Sequence, residues 1–404
     1  MRINPFRALR PCQDLVDRVA SVPYDVVSRT EACALARDNP MSFLHVSRAE
    51  IDLPENIAPY APEVYAKAAA NFAALQERGV LIRASRPCVY VYRLRRNGRY
   101  QHGIAACCHV GDYANSVIKK HERTRIEKEE DRKKHTIALR AHSGPVFLTY
   151  RDRPEIDSLI RATEEQPPLY DFTAPDGVEH AVWPAKETAA FIEAFKQVPA
   201  AYIADGHHRA AAAAAVAREL GQANADENAE FNWFLAVLFP AGQLEILAYN
   251  RCVRDLAGMD SGRFLEEVRK YFIIEQNVPR APAEAGRINM YLDKSWFGLH
   301  LKKMPPSDDP AAALDVSLLQ NQLFDKILGI KDPRTDSRLE FIGGIHGPQE
   351  LENRVNSGNA AAAFSMYPTG INQLLAISDA GRTMPPKSTW FEPKLRDALL
   401  IHTF

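Results

Sequence analysis

The feature that most constrains the fold of this chain is a nine-residue run, 201–209, that leads directly into an alanine-rich stretch. The run reads Ala-Tyr-Ile-Ala-Asp-Gly-His-His-Arg. It predicts a short buried strand, a tight turn at Gly206 and a helix that begins beside the turn. Glycine adopts a positive φ without steric cost and lets a ligand approach the backbone closely. The small side chains of residues 210–217 predict close packing of the helix on its sheet, which would hold the turn rigidly.

The residues of this turn are of the kinds that bind an anion. The first N–H groups of a helix have no partner inside it and lie at the positive end of its dipole. His207, His208 and Arg209 add donors and charge at the same place, so we expect a phosphate group to bind there. Asp205 would orient a substrate or contact a magnesium ion that arrives with a nucleotide. A capped helix whose histidines bond only within the protein is the alternative.

A second charged segment, residues 117–125, reads Val-Ile-Lys-Lys-His-Glu-Arg-Thr-Arg. Its apolar start indicates that the segment leaves a sheet. Lys119, Lys120 and Arg123 would neutralise a phosphate, with His121 beside them, and Glu122 would accept a proton from a substrate hydroxyl. The alternative is a charged helix face that only contacts solvent.

Composition restricts the class of protein. The chain has 404 residues, 46% hydrophobic and 25% charged, with a formal net charge of −1. This balance is typical of a globular protein with two or three domains, and it argues against nucleic acid or an anionic membrane as partner. We find no secretory signal, no apolar run of membrane-spanning length and no Cys-x-x-Cys pair among the six cysteines. These features predict a cytoplasmic protein with reduced thiols.

Strand and helix patterns alternate along the chain and predict an α/β or α+β fold with a mixed sheet. Asn97-Gly98 between two alternating runs, 88–94 and 100–110, predicts a β-hairpin. Residues 42–46 read as a strand, and residues 231–239 read as an apolar strand with a hairpin partner at 244–250. We expect three parts: an N-terminal α/β part, 1–110; a core with the turn, 111–275; and a C-terminal α/β part, 276–404, which begins near a shift in composition at 277–286.

Six segments make the chain similar, over nearly its whole length, to the bacterial domain-of-unknown-function family 1015. They are residues 5–11 (PFRALRP), 23–27 (PYDVV), 118–124 (IKKHERT), 144–146 (GPV), 204–209 (ADGHHR) and 384–391 (MPPKSTWF).

The strand, the Asp-Gly-His-His-Arg sequence and the following helix also resemble the phosphate-binding box of the ParB/sulfiredoxin superfamily. The box has the form seen in its free-serine kinases. Sulfiredoxin has a cysteine in this turn, where this chain has His207 or His208, which disfavours a sulfiredoxin reaction. His121-Glu122 matches an upstream His-Glu pair of the kinases, although the distance to the box is longer here.

This second resemblance implies a ParB/sulfiredoxin-like core and phosphoryl transfer from a nucleotide to a small hydroxyl compound, with free L-serine as the leading acceptor. ATP or ADP with Mg²⁺ would be the cofactors, and CTP is the alternative nucleotide. The alternative is a nucleotide-binding regulator of ParB type that catalyses nothing. A scaffold role and a homo-oligomer are both left open. The resulting site prediction is catalytic Glu122, Asp205, His207 and His208; nucleotide-binding Gly206, His207, His208, Arg209, Lys119, Lys120, His121 and Arg123; and Asp205 as a magnesium contact.

Overall fold

The computed structural model describes residues 1–223, 226–303 and 308–404. The strands in chain order are β1 Ile3–Asn4, β2 Leu9–Pro11, β3 Leu81–Arg83, β4 Tyr90–Arg96, β5 Arg99–His109, β6 Ile118–Lys119, β7 Ala141–His142, β8 Val146–Tyr150, β9 Tyr170–Thr173, β10 Glu179–Pro184, β11 Ala201–Asp205, β12 Trp233–Pro240, β13 Glu245–Leu247, β14 Tyr249–Val253, β15 Phe272–Gln276, β16 Arg287–Leu292, β17 Ser295–Leu301, β18 Leu339–Gly343, β19 Ala362–Met366, β20 Trp390–Glu392 and β21 His402–Thr403.

Helices alternate with these strands, as the sequence predicts. The α-helices are α1 Val16–Val19, α2 Arg29–Ala36, α3 Leu44–Ser47, α4 Pro62–Glu77, α5 Val110–Ala114, α6 Ile126–Leu139, α7 Pro154–Glu164, α8 Thr188–Lys196, α9 His207–Gly221, α10 Ser261–Tyr271, α11 Asp315–Leu319, α12 Gly347–Asn356 and α13 Ile371–Asp379. The protein is therefore a mixed α/β protein, which confirms the expected fold class. In the part of the chain that is described, we find no helix both long and apolar enough to cross a bilayer.

The chain forms two compact units. The first unit consists of Met1–Lys120, Thr124–Leu244 and Pro393–Phe404, and the second of His121–Arg123 and Glu245–Glu392. The three parts expected from the sequence stay a prediction. Strands on both sides of residue 110 belong to one sheet.

The first unit is built on a mixed sheet, whose described strands follow the order β6-β11-β8-β12-β5-β4-β10-β9, with β1 paired to β5. β11 is parallel to β6, β12 is parallel to β8, and the other neighbours in this order are antiparallel. Buried aliphatic residues such as Ile104, Leu148, Ile203 and Leu238 form its core. Because β6 and β11 are parallel, the turn after β11 lies at the edge of the sheet where β6 also ends.

The second unit has its own sheet, with described strands in the order β15-β17-β16-β19-β14-β18. Cys252, Ile342, Leu351 and Ala363 belong to a buried cluster there. In a separate two-stranded sheet, β13 pairs with β20.

The local predictions have mixed outcomes. The hairpin at Asn97-Gly98 is confirmed: β4 and β5 pair up to Arg96 and Arg99, and both turn residues have a positive φ, 50° and 77°. The strand expected at 42–46 is wrong, because α3 begins at Leu44, whose N–H donates to the Ser42 hydroxyl oxygen at 3.3 Å. Such a short apolar run does not distinguish a strand from a helix by its periodicity.

The hairpin expected between residues 231–239 and 244–250 is also wrong. β12 forms where its strand was expected, but it pairs with β5 and β8. β14, in the expected partner segment, pairs instead with β18 and β19. Proximity in sequence favoured a hairpin, whereas the apolar β12 is buried on both sides between strands that are distant in sequence.

The six cysteines all lie among the described residues and are free thiols, as expected. Burial raises the pKa of the adjacent Cys107 and Cys108 on β5. Both thiols therefore stay protonated, and their place in the core gives them a packing role.

Candidate functional site

The turn between β11 and α9 has the strand–turn–helix form that the sequence predicts. The pairing of β11 with β8 shifts register between Ile203 and Asp205, which marks a β-bulge just before the turn. Gly206 follows with φ 88° and ψ 32°, a conformation that other residues adopt at a cost. A Cβ on Gly206 would also lie 2.9 Å from the Arg209 Nε. Residues 205–209 are called the DGHHR turn below.

Arg209 points into the protein. Its Nη1 donates to the carbonyl oxygen of Pro145, its Nη2 lies 3.4 Å from Oδ2 of Asp205, and its side chain is 10% exposed. Burial would lower the pKa of Arg209, but the carboxylates of Asp25, Asp205 and Asp397 outweigh it and raise that pKa above its usual value. Arg209 therefore stays charged and holds the turn against the residues before β8.

Asp205 is an ion-pair partner of two cations. Its Oδ2 is 3.4 Å from Nη2 of Arg209 and 3.4 Å from Nζ of Lys394. Lys394 lies near the C-terminus, and sequence reasoning missed it. Two cations beside this oxygen repel a divalent metal ion, so a magnesium ion at Oδ2 would require both side chains to move away.

The two histidines differ in their surroundings. His207 is buried at 8% exposure, whereas His208 is half-buried. The backbone N–H of Arg125 donates to Nε2 of His208 at 3.1 Å. Because a backbone N–H can only donate, Nε2 accepts, and the imidazole in this contact is neutral with its proton on Nδ1. His208 thereby joins the start of α6 to the DGHHR turn.

The lysines of the second predicted segment lie at the same edge of the first unit. Lys119 is level with Tyr202 in the parallel pair of β6 and β11, and its Nζ is 5.8 Å from the centre of the Tyr202 ring. The Nζ of Lys120 is 4.8 Å from the centre of the Tyr113 ring. Both ammonium groups thus have cation–π contacts with neighbouring aromatic rings.

His121, Glu122 and Arg123 belong to the second unit. His121 is buried, and its carbonyl accepts a hydrogen bond of 2.7 Å from the Met384 N–H of the same unit. Its Nε2 is 3.3 Å from the Thr389 hydroxyl. The proline-rich segment 384–389 therefore holds His121 in place, which gives that segment a role that sequence reasoning left open.

A small cavity of about 30 Å³ lies behind Arg209 in the first unit. The space suffices for about two water molecules. Burial lowers the pKa of His135 to about 4 and that of His142 to about 3, so both imidazoles are neutral. Burial also raises the pKa of Asp397 to about 7. The lining residues are Tyr24, Ser47, Arg132, His135, Thr136, His142, Ser143, Gly144, Arg209 and Asp397.

Most of this cavity was not predicted as part of a site. Tyr24 and Gly144 lie in segments that carry the family resemblance, so a search for polar residues in those segments would have found Tyr24 and its neighbour Asp25. No comparable signal in the sequence marks Arg132, Lys394 or Asp397. These three are brought to the DGHHR turn only by folding.

Comparison with solved structures finds distant similarities. A free serine kinase in complex with AMP matches at 11% identity and a TM-score of 0.37, over 73% of this chain and 92% of that chain. A conserved hypothetical protein from Pyrococcus furiosus matches at 11% identity and a TM-score of 0.36, over 73% and 95%. SbnI with a C-terminal truncation, from Staphylococcus aureus, matches at 14% identity and a TM-score of 0.39, over 73% and 87%. With identities and TM-scores this low, we base no functional conclusion on them.

Comparison with known sequences is decisive only at the level of the family. None of the curated proteins matches this chain. A family model described as "Protein of unknown function (DUF1015)" matches residues 3–317, which include both the 117–125 segment and the DGHHR turn. This match covers well over half of the sequence, and the chain therefore belongs to the DUF1015 family.

Proposed function

We propose that this protein transfers a phosphoryl group from a nucleotide, ATP or ADP, to a small hydroxyl compound, with free L-serine as the first candidate. The observation that supports the proposal most is the parallel pairing of β6 with β11. Parallel strands end at the same edge of a sheet, so the lysine-rich segment after β6 and the DGHHR turn after β11 leave the sheet together. Phosphoryl transfer depends mainly on positioning and charge neutralisation, and this edge offers both.

The DGHHR turn would bind the phosphate groups. Gly206 brings the backbone close to a ligand, and the first N–H groups of α9 point out of the helix toward it. His207 and His208 would donate hydrogen bonds to phosphate oxygens. Arg209 would act from behind, since it is bonded to Pro145 and contributes charge rather than a direct contact. This turn would form a core of ParB/sulfiredoxin type, and CTP remains an alternative nucleotide.

Glu122 would be the general base. In the reaction, the serine hydroxyl gives its proton to the Glu122 carboxylate as its oxygen attacks the terminal phosphorus. The bond from that phosphorus to the bridging oxygen of the nucleotide then breaks. Glu122 is the one carboxylate of the 117–125 segment, which suits it to accept a proton. Lys119, Lys120, His121 and Arg123 would neutralise the remaining phosphate oxygens, and Mg²⁺ would accompany the nucleotide.

The test measures binding and transfer separately. We expect ATP or ADP with magnesium to raise the unfolding temperature, and transfer to serine to produce phosphoserine detectable by mass spectrometry. Glu122→Gln should lower turnover by about 10²-fold or more, as expected for loss of a general base, with nucleotide affinity nearly unchanged. Glu127→Gln, an exposed residue in the first turn of α6, is the matched control. Full turnover by Glu122→Gln would assign the base elsewhere, and absence of nucleotide binding would reject the function.

A nucleotide-binding regulator without catalysis is the second candidate. The contacts of Arg209 with Pro145 and of His208 with Arg125 favour it, because both side chains hold the turn in place. Saturable nucleotide binding with no transfer to serine or to related hydroxyl compounds would select this candidate.

A further inference from the structure

Backbone hydrogen bonds join the C-terminal segment Pro393–Phe404 to the rest of the first unit. The Ser21 N–H donates to the Asp397 carbonyl at 3.2 Å, and the Asp397 N–H donates to the Ser21 carbonyl at 2.9 Å. The Ala398 N–H donates to the Ser143 carbonyl at 2.9 Å. The segment therefore has a defined position beside the residues that precede β8.

This segment brings Lys394 to the DGHHR turn. The Lys394 side chain is 14% exposed, and its Nζ lies 3.4 Å from Oδ2 of Asp205. A lysine this deeply buried normally requires a charged partner, and Asp205 is one. Lys394 also lies outside residues 3–317, the part of the chain that the family model matches.

Oδ2 of Asp205 thus pairs with two cations, Arg209 and Lys394. Arg209 in turn has two acceptors, Asp205 and the Pro145 carbonyl. If Lys394 lost its charge, the Asp205 carboxylate would attract the Arg209 guanidinium more strongly. The guanidinium would then shift from Pro145 toward Asp205. Because Arg209 lies within the first turn of α9, such a shift would disturb the backbone N–H groups at the helix start.

We propose that Lys394 is a positioning residue of the DGHHR turn, which fixes Asp205 and Arg209 so that the start of α9 is presented to a phosphate group. The inference rests on the phosphate-binding role proposed above for that turn. It makes the C-terminal segment part of the site, although none of its residues was predicted there.

The experiment compares full-length Lys394→Met and Lys394→Arg with the unchanged protein. The first readout is ADP affinity by calorimetry, and the second is amide hydrogen exchange of residues 203–210 in the protein without nucleotide. We expect Lys394→Met to weaken ADP binding about tenfold, the size expected for losing one charged hydrogen bond, and to accelerate exchange in the turn. Lys394→Arg keeps the charge and should restore both. Lys394→Gln replaces the Met variant if that variant does not fold.

Thr403→Val is the matched control, because Thr403 belongs to the same segment and accepts a hydrogen bond of 2.8 Å from Arg83, away from the turn. It should leave both readouts unchanged. Equal exchange in Lys394→Met and the unchanged protein would overturn the inference, as would equal acceleration in Thr403→Val. If the unchanged protein binds no ADP, the proposed function fails. The exchange data then still decide whether Lys394 positions the turn.

Discussion

Arg209 shows how burial changes the role of a charged residue. From the sequence, its guanidinium is expected to add a donor and charge for a phosphate bound at the turn. In the structure it is almost buried and bonded to Pro145, with Asp25, Asp205 and Asp397 as its electrostatic partners. Removing it would take a positive charge away from these three carboxyl groups, of which Asp397 is buried, so we expect the turn to be destabilised. Its part in anion binding is therefore to hold the turn and supply charge from behind.

Asp397 should make the stability of the protein depend on pH. Its pKa is about 7 in the folded protein, against an ordinary value of 3.8, because burial disfavours the charged form. Between these values the unfolded chain releases the proton and the folded chain keeps it, so stability falls as pH rises from about 4 to about 7. Asp397→Asn cannot ionise. We therefore expect it to gain roughly 1–4 kcal/mol relative to the unchanged protein between pH 5 and pH 8.

Urea denaturation at several pH values measures this difference. Both proteins contain His135 and His142, whose lowered pKa values cost stability as pH falls below about 6.5, so their contribution cancels in the comparison. The other groups near Asp397 are Tyr24, Asp25, Arg132 and Arg209. Asp171→Asn, an exposed residue on β9, controls for the loss of a surface carboxylate. Parallel stability curves for Asp397→Asn and the unchanged protein would contradict the shifted pKa.

At the scale of elements, the DGHHR turn depends on the packing of three neighbouring segments. β11 and α9 supply the turn. The Pro145 carbonyl, just before β8, accepts a hydrogen bond from Arg209. The C-terminal segment supplies Lys394 and Asp397. The small residues of α9 are mostly buried, which confirms that this helix packs closely. Space between these segments is so limited that Gly144 has no room for a side chain.

Gly144→Ala should therefore destabilise the first unit. An added Cβ would lie 2.5 Å from Oδ1 and 3.1 Å from Cγ of Asp397, whose backbone is bonded to Ser21 and cannot easily move. Overpacking of this kind costs about 1–3 kcal/mol. The measurement is the midpoint of urea unfolding. Gly221→Ala at the end of α9 has no atom within 4 Å of the added Cβ and should cause no loss. Equal stability of the Gly144→Ala and Gly221→Ala variants would show that the segments around Gly144 can move apart to make room for the added Cβ.

At the scale of the whole molecule, the chain leaves the first unit after Leu244 and returns to it at Pro393. The returning segment contributes Leu395, Leu399, Leu400 and Ile401, which are all nearly inaccessible to solvent. The first unit is thus composed of distant parts of the chain. Its stability depends on residues that are near the C-terminus in sequence.

Deletion of residues 393–404 should unfold the first unit. Four buried aliphatic side chains contribute roughly 1.5–3 kcal/mol each, and their sum approaches the total stability of an ordinary domain. Circular dichroism should show a loss of secondary structure, and limited proteolysis should show a loss of protection across residues 1–244. Deletion of residues 403–404 alone should cost far less, because it keeps all four of these side chains. A first unit that stays protease-resistant without residues 393–404 would refute this dependence.

The elements that the sequence predicted correctly are those with local signals. Gly206 between an apolar run and a small-residue run predicted the turn, and Asn97-Gly98 predicted the hairpin, because turn chemistry and hydrophobic periodicity act over a few residues. The same reasoning failed for residues 42–46, which were too short, and for the pairing of β12, whose partners are distant in sequence.

The composition of the site was decided by tertiary structure. Lys394 and Asp397 reach the DGHHR turn only because the chain returns to the first unit, and a single sequence contains no signal for that contact. Whether a charged side chain faces a ligand or the interior is likewise set by burial. The sequence determined which residues bring charge to the turn of this DUF1015 protein, including Asp205 and Arg209. Folding determined that Arg209 bonds inward and that Lys394 shares Asp205, because desolvation requires buried charges to be paired.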